Sequence, residues 1–146
     1  MNSELINKSP PPPTAKKYDL EDRLLEFAVA VTEVSEKLPN TRVGNHIAGQ
    51  FLRSGTSPYG NHGEAQSPES IDDFIHKMKI CLKELRETRR WARLIERKQW
   101  LANNERLAFV LVESEELVRI FNASVRTAER NRTQTQQRPS LQANDL

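Results

Sequence analysis

Three groups of residues in this chain have types and spacings that could do chemistry. The first lies in Gln50–Ala65 (QFLRSGTSPYGNHGEA), where Ser54, Ser57, Asn61 and Glu64 recur with Gln50 at helical steps, and Arg53 and His62 stand beside them. Serine, histidine and a carboxylate are the parts of a nucleophilic hydrolase, provided that nucleophile, base and orienting acid come within mutual reach. Nothing around either serine resembles a strand-to-helix nucleophile elbow. Small polar residues at a helix crossing serve equally as structural glue, so Arg53, Ser54, Ser57, Asn61 and Glu64 read as a polar network in the bundle or at its edge. Arg53 with Glu64 or Glu84 is then a candidate buried ion pair, which would set register more than add stability.

The second group is cationic. Lys79, Lys83, Arg86, Arg90, Arg93 and Arg97 follow one another at steps of four, three, four, three and four, so a helix carries all six on one face. Over Lys77–Lys98 nine basic residues stand against three acids, Glu84, Glu87 and Glu96. At a rise of 1.5 Å per residue the six cations span about 27 Å, the length scale of a phosphate backbone. One reading is a polyanion-binding face, which would act mainly through phosphates and be salt-sensitive and weakly sequence-specific. The other is a solvated face whose charges pair with neighbouring acids. Trp91 lies beside the stripe and Trp100 just past the helix end. Either could stack on an unpaired base or pack a helix end or subunit interface.

The third group would be a metal site, and it fails on count. A di-iron bundle needs glutamates from two helices and Glu-x-x-His on two others. Here three histidines (His46, His62, His76) offer one Asp73-x-x-His76, and His76 reads better as one more step of the basic stripe. No cofactor is implied either, because Gly55–Gly60 lacks the lysine and spacing of a phosphate-binding loop. Cys81 falls on or beside an apolar face and is expected to be a buried, inert thiol.

Four helical patterns must position these groups. In the first, Asp19 is a plausible N-cap and Leu20, Leu24, Phe27, Val31, Val34 and Leu38 form a heptad-like stripe that Pro39-Asn40 ends. The second runs from about Thr41 to Ala65, with Val43, Ile47 and Phe51 as its apolar residues. Ser67-Pro68-Glu69 supplies an N-cap, a first-turn proline and an acid for the third. That helix extends to about Lys98 and carries Ile71, Phe74, Ile75, Met78, Leu82, Leu85, Ala92 and Ile95. The fourth starts near Asn103 or Asn104 and carries Leu107, Val110, Leu111, Leu117, Phe121 and Val125. Short links and no strand pattern predict an all-α, up-and-down antiparallel four-helix bundle. Ile80, Leu94 and Leu101 fall off the main stripe and suggest a second buried face, as an oligomer would provide.

All five glycines (Gly44, Gly49, Gly55, Gly60, Gly63) and Pro58 fall within or just before the second helix's polar stretch. Each interior glycine costs roughly 1 kcal/mol against alanine and the proline roughly 3. Such a segment is either a tightly packed, buried helix or a loop with a job.

The ordered set Arg53-Ser54-Gly55-Thr56-Ser57, Asn61, Glu64-Ala65, Asp73-Phe74, Lys77, Lys83-Glu84 and Glu87-Thr88 resembles the four-helix-bundle family of 23S rRNA intervening-sequence proteins. That family is related to the accessory variability protein of diversity-generating retroelements. The resemblance covers about residues 19–125. It implies a small helical subunit assembling as a ring-like homopentamer. In the retroelement relatives it also implies binding to nucleic acid and to a reverse transcriptase.

Composition fits. At 146 residues with 36% hydrophobic and 29% charged side chains, one polar helical domain is expected, with a net charge of only +2. One cysteine, no basic-apolar start and no membrane-length apolar run predict a cytoplasmic protein without membrane contact. Residues 1–17, with Pro10–Pro13, and residues 131–146 read as disordered tails around a bundle at 18–130. The function these features predict is non-enzymatic: an oligomeric basic scaffold for structured RNA or DNA. The rival is a protein-interaction module that docks an acidic partner and has no nucleic-acid role. An enzyme built on Ser57, Asn61 and Glu64 is the third hypothesis.

Overall fold

Each helix begins where a short polar side chain can take up an orphan backbone N–H. The computed structural model describes residues 19–137. Asp19 accepts from Glu21 N–H (3.0 Å) to open α1, Leu20–Glu36, and Thr41 accepts from Gly44 N–H (3.0 Å) to open α2, Arg42–Ala65. α3 spans Ile71–Lys98 and α4 spans Glu105–Gln137, where Asn104 Oδ1 accepts from Leu107 N–H (2.9 Å).

The start of α3 departs from expectation. Ser67-Pro68-Glu69 lies in the turn after α2, and the N-cap is Ser70, whose Oγ accepts from Asp73 N–H (3.0 Å). Asp73 in turn accepts from Glu69 N–H (3.1 Å), one residue before the cap, so its carboxylate holds the turn that leads into Ser70. That bond, and then the bond from Lys77, hold the Asp73 carboxyl below its ordinary range.

The four helices form a ring of neighbours, α1–α2–α3–α4–α1, and diagonal pairs make no close backbone approach. α2 and α3 run antiparallel, since Ser54 meets Thr88 and Pro58 meets Cys81; so do α3 and α4 (Arg89–Glu115, Lys79–Glu129) and α1 and α4 (Arg23–Glu113, Glu33–Arg106), which makes α1 and α2 antiparallel as well. Phe27, Phe51, Leu85, Ile95, Leu117 and Phe121 fill the centre with almost no exposure. Val43 and Ile71, expected on the core stripes, are exposed instead; each sits in the first turn of its helix.

The glycine-rich stretch is continuous helix, with Pro58 buried inside it. Its glycines divide in two. A Cβ on Gly44 would lie 2.0 Å from the Pro39 carbonyl oxygen, and one on Gly55 would lie 2.6 Å from Val31 Cγ1 on α1. Gly49, Gly60 and Gly63 would meet nothing within 4 Å, so close packing requires only the first two.

α4 continues through Gln137, well into the segment whose polarity suggested a tail from residue 131. Arg132 pairs with Asp72 (2.9 Å), which ties this last part of the helix to the start of α3. The expected tail at 1–17 and residues 138–146 lie outside the described residues. Among the described residues no helix is long and apolar enough to cross a membrane.

Candidate nucleic-acid interface

α3 works on two sides. Its α2-facing side carries the polar network. Ser54 and Thr88 are both 0% exposed, and Thr88 Oγ1 lies 3.0 Å from Ser54 Oγ and 2.7 Å from the Glu84 carbonyl. The Ser54 hydroxyl also lies 3.3 Å from the Phe51 carbonyl, so neither buried hydroxyl is orphaned. Ser57 accepts from Asn61 Nδ2 (2.9 Å) one turn later.

Arg53 does not make the buried pair expected of it. Its side chain is 51% exposed, and it donates to Glu84 (3.1 Å) and to both carboxylate oxygens of Glu87 (2.7 Å each). Glu64 is exposed on the far end of α2, and its carboxylate makes no bond among the described residues. The reason is register: positions 84 and 87 of α3 lie level with residue 53, whereas Glu64 is three turns away. Burial, then the bond to Glu87, raises Glu84 above the usual carboxylate range. Burial pushes Glu87 the same way, but the bonds from Arg53, Glu84 and Trp91 outweigh it and hold Glu87 below that range.

Ser57 and Asn61 bond each other, but among the described residues neither Glu64 nor His62 joins them. His62 is buried edge-on against Phe121, with ring centroids 6.0 Å apart. Its Nε2 meets Gln66 (3.1 Å), while Nδ1 has no hydrogen-bond partner among the described residues. Burial lowers its pKa, against weaker opposing pulls from Glu21 and Asp19. Cys81 is wholly buried within 3.6 Å of the Pro58 carbonyl, and burial pushes its thiol up to about 12. Among the described residues no group of three or more His, Cys, Asp or Glu could hold a metal.

The outward side of α3 carries Lys79, Lys83, Arg86, Arg90, Arg93 and Arg97, all exposed. Lys79 pairs with Glu129 of α4 (2.8 Å). Among the described residues the other five have no carboxylate within 4.0 Å, although Arg53, Lys77, Arg89 and Arg106 all find one. The acids of α3 that might have neutralised the stripe are turned aside: Glu84 and Glu87 serve Arg53. His76, read as one more step of this stripe, is exposed near its start.

Beside these cations lies an open groove of about 1000 Å³, lined by Arg90, Trp91, Arg93, Leu94 and Arg97 together with Glu87 and Glu96. Periodicity flagged Leu94 as off-stripe but could not say that it and Trp91 line a groove. Trp91 is half-buried, and its Nε1–H donates to Glu87 Oε1 (3.4 Å), the carboxylate that Arg53 clamps. Both tryptophans pack against the core, and Trp100 also has Lys98 Nζ 5.4 Å from its ring centre.

Fold and face together define a small all-α, up-and-down bundle with one unneutralised cationic helix face. More specifically, the chain belongs to the 23S rRNA-intervening sequence protein family, whose model matches residues 16–123. Among solved structures it is similar to a protein of unknown function of the S23 ribosomal protein family from Bacteroides thetaiotaomicron. The two share 33% identity at a TM-score of 0.65, over 72% of this chain and 96% of that one. No curated protein matches it.

Proposed function

We propose that this protein is a non-enzymatic scaffold that binds structured RNA or DNA through the outward face of α3. One observation carries the reading: five cations aligned on one helix face, Lys83, Arg86, Arg90, Arg93 and Arg97, have no acidic partner among the described residues, whereas Arg23, Arg53, Lys77, Lys79, Arg89, Arg106, Arg119 and Arg132 each have one. Anionic groups supplied from outside are the natural counterions, and displacing condensed salt from a phosphate backbone is what drives such contacts. The family's name ties it to 23S rRNA intervening sequences, which suits an RNA target. Self-association, as a pentamer by family resemblance, would repeat this face around a ring. Leu25 and Val29 on α1 and Leu52 and Tyr59 on α2, large apolar groups left exposed, support such a contact between copies. A reverse transcriptase is a further partner that the resemblance suggests.

The test is binding to RNA and DNA across a salt series, for wild type and a Lys83→Glu/Arg86→Glu/Arg90→Glu variant of confirmed mass and helicity. Wild-type binding should be micromolar or tighter, fall steeply with salt and drop at least about a hundredfold in the variant. No binding by the assembled wild-type protein at low salt would refute the reading and favour an acidic protein partner.

A further inference from the structure

We infer that the groove on the outward face of α3 holds an unpaired nucleotide, its base stacked on Trp91 and its flanking phosphates on Arg90, Arg93 and Arg97. The inference rests on the nucleic-acid reading above and deepens it, by committing the occupant to single-stranded rather than duplex nucleic acid.

A straight cationic helix needs no aromatic group to follow duplex phosphates, and a duplex keeps its bases stacked on one another. This groove has more than charge. Its lining includes a half-buried indole and Leu94, which keeps 36% of its surface in water although no core position requires an apolar residue there. A flat apolar surface beside guanidinium groups suits a flat base joined to phosphates, and stacking tolerates any base because every base has a π face.

The indole is also held in place. Trp91 Nε1–H donates to Glu87 Oε1 at 3.4 Å, and Glu87 is gripped by Arg53 from α2 through two bonds of 2.7 Å. Arg53 and Glu87 are therefore positioning residues, linking the polar seam to the groove. Such a link orients the ring before a ligand arrives and lowers the ordering cost of binding. Glu96, the one acid in the groove without an ion pair among the described residues, opposes phosphate but can accept from an N–H on the edge of a base. An all-phosphate site would have no use for it.

The experiment compares a single-stranded uridine or thymidine oligonucleotide with a duplex of equal length, at several salt concentrations. The proteins are wild type, Trp91→Leu and Trp91→Phe, each checked for helicity and thermal stability. The chain has two tryptophans, so a Trp100→Phe background lets Trp91 fluorescence report contact directly. Expected are quenching of Trp91 by the single strand and a loss of about tenfold in its affinity for Trp91→Leu. Trp91→Phe, which keeps a ring face, should bind within about threefold of wild type, and duplex affinity should be the same for all three.

Wild-type binding that Trp91→Leu leaves intact, or weakens equally for duplex and single strand, would overturn the stacking site while leaving the phosphate-binding face standing. No binding of either nucleic acid by wild type would overturn both. Binding of poly-L-glutamate with the same dependence on Trp91 would overturn the inference in favour of an acidic peptide.

Discussion

The two sides of α3 use the same residue types in opposite ways. Towards α2, every buried hydroxyl has a partner, and Arg53 is met by two carboxylates. Towards solvent, Lys83, Arg86, Arg90, Arg93 and Arg97 have no such partner among the described residues. A buried polar group must be satisfied because leaving it unmade costs about 1–3 kcal/mol. An exposed cation is already satisfied by water, so nothing in the fold requires its position or its number. The inward polar groups are thus explained by stability, whereas the outward row is not. Residues that a fold does not need are where function is most economically sought.

If inward positions fix the fold and outward ones are spare, the glycines of α2 should show the largest contrast. Gly44→Ala must push against a backbone carbonyl and is expected to cost about 3 kcal/mol, with Gly55→Ala costing about 1–2 against the stiff, buried Val31. Gly49→Ala meets open space and should instead stabilise by about 0.5–1 kcal/mol. Urea denaturation of the three variants checks the order, and a destabilising Gly49→Ala would show that the outward side of α2 is not free.

His62 offers a smaller, pH-dependent effect. Its folded pKa lies below the ordinary 6.5, so the unfolded chain takes up a proton at a pH where the native imidazole stays neutral. Stability should therefore be unaffected well above pH 6.5 and decline as pH falls through 6.5 towards the lower folded value. His62→Leu removes the titrating group and should flatten that decline. Parallel pH profiles for the two proteins would mean that His62 protonates freely in the native state.

The smallest effect belongs to the outward row. Replacing Lys83, Arg86, Arg90 and Arg93 by Gln, one at a time, should shift unfolding free energy by no more than about 0.5 kcal/mol. A loss near 2 kcal/mol from any one of them would break the comparison, since that cation would then have a structural partner in the assembled protein.

Much of this was legible beforehand. The apolar stripes of α1 and α4 identified most of the core residues those two helices supply, and the basic stripe was placed on an exposed face. The start of α3 was misplaced because two overlapping cap signals compete, and only the Ser70–Asp73–Glu69 bonds decide between them. The partners of Arg53 were half-legible. Glu84 was a candidate but Glu87 was not, because which carboxylates lie level with an arginine depends on the sliding register of two helices.

By itself the sequence determined what is periodic along one helix: four amphipathic segments, their number and order, and a row of cations at a single angle on the third. These follow from 3.6 residues per turn and need no partner. Tertiary structure alone decided what depends on distances between helices. It buried His62 against Phe121, pressed Gly55 rather than Gly60 onto a neighbour, and drew Glu84 and Glu87 to Arg53. That last pairing leaves the row of cations without its nearest acids and ties Trp91 in place at its edge, an outcome set by how the helices pack rather than by residue spacing along one chain.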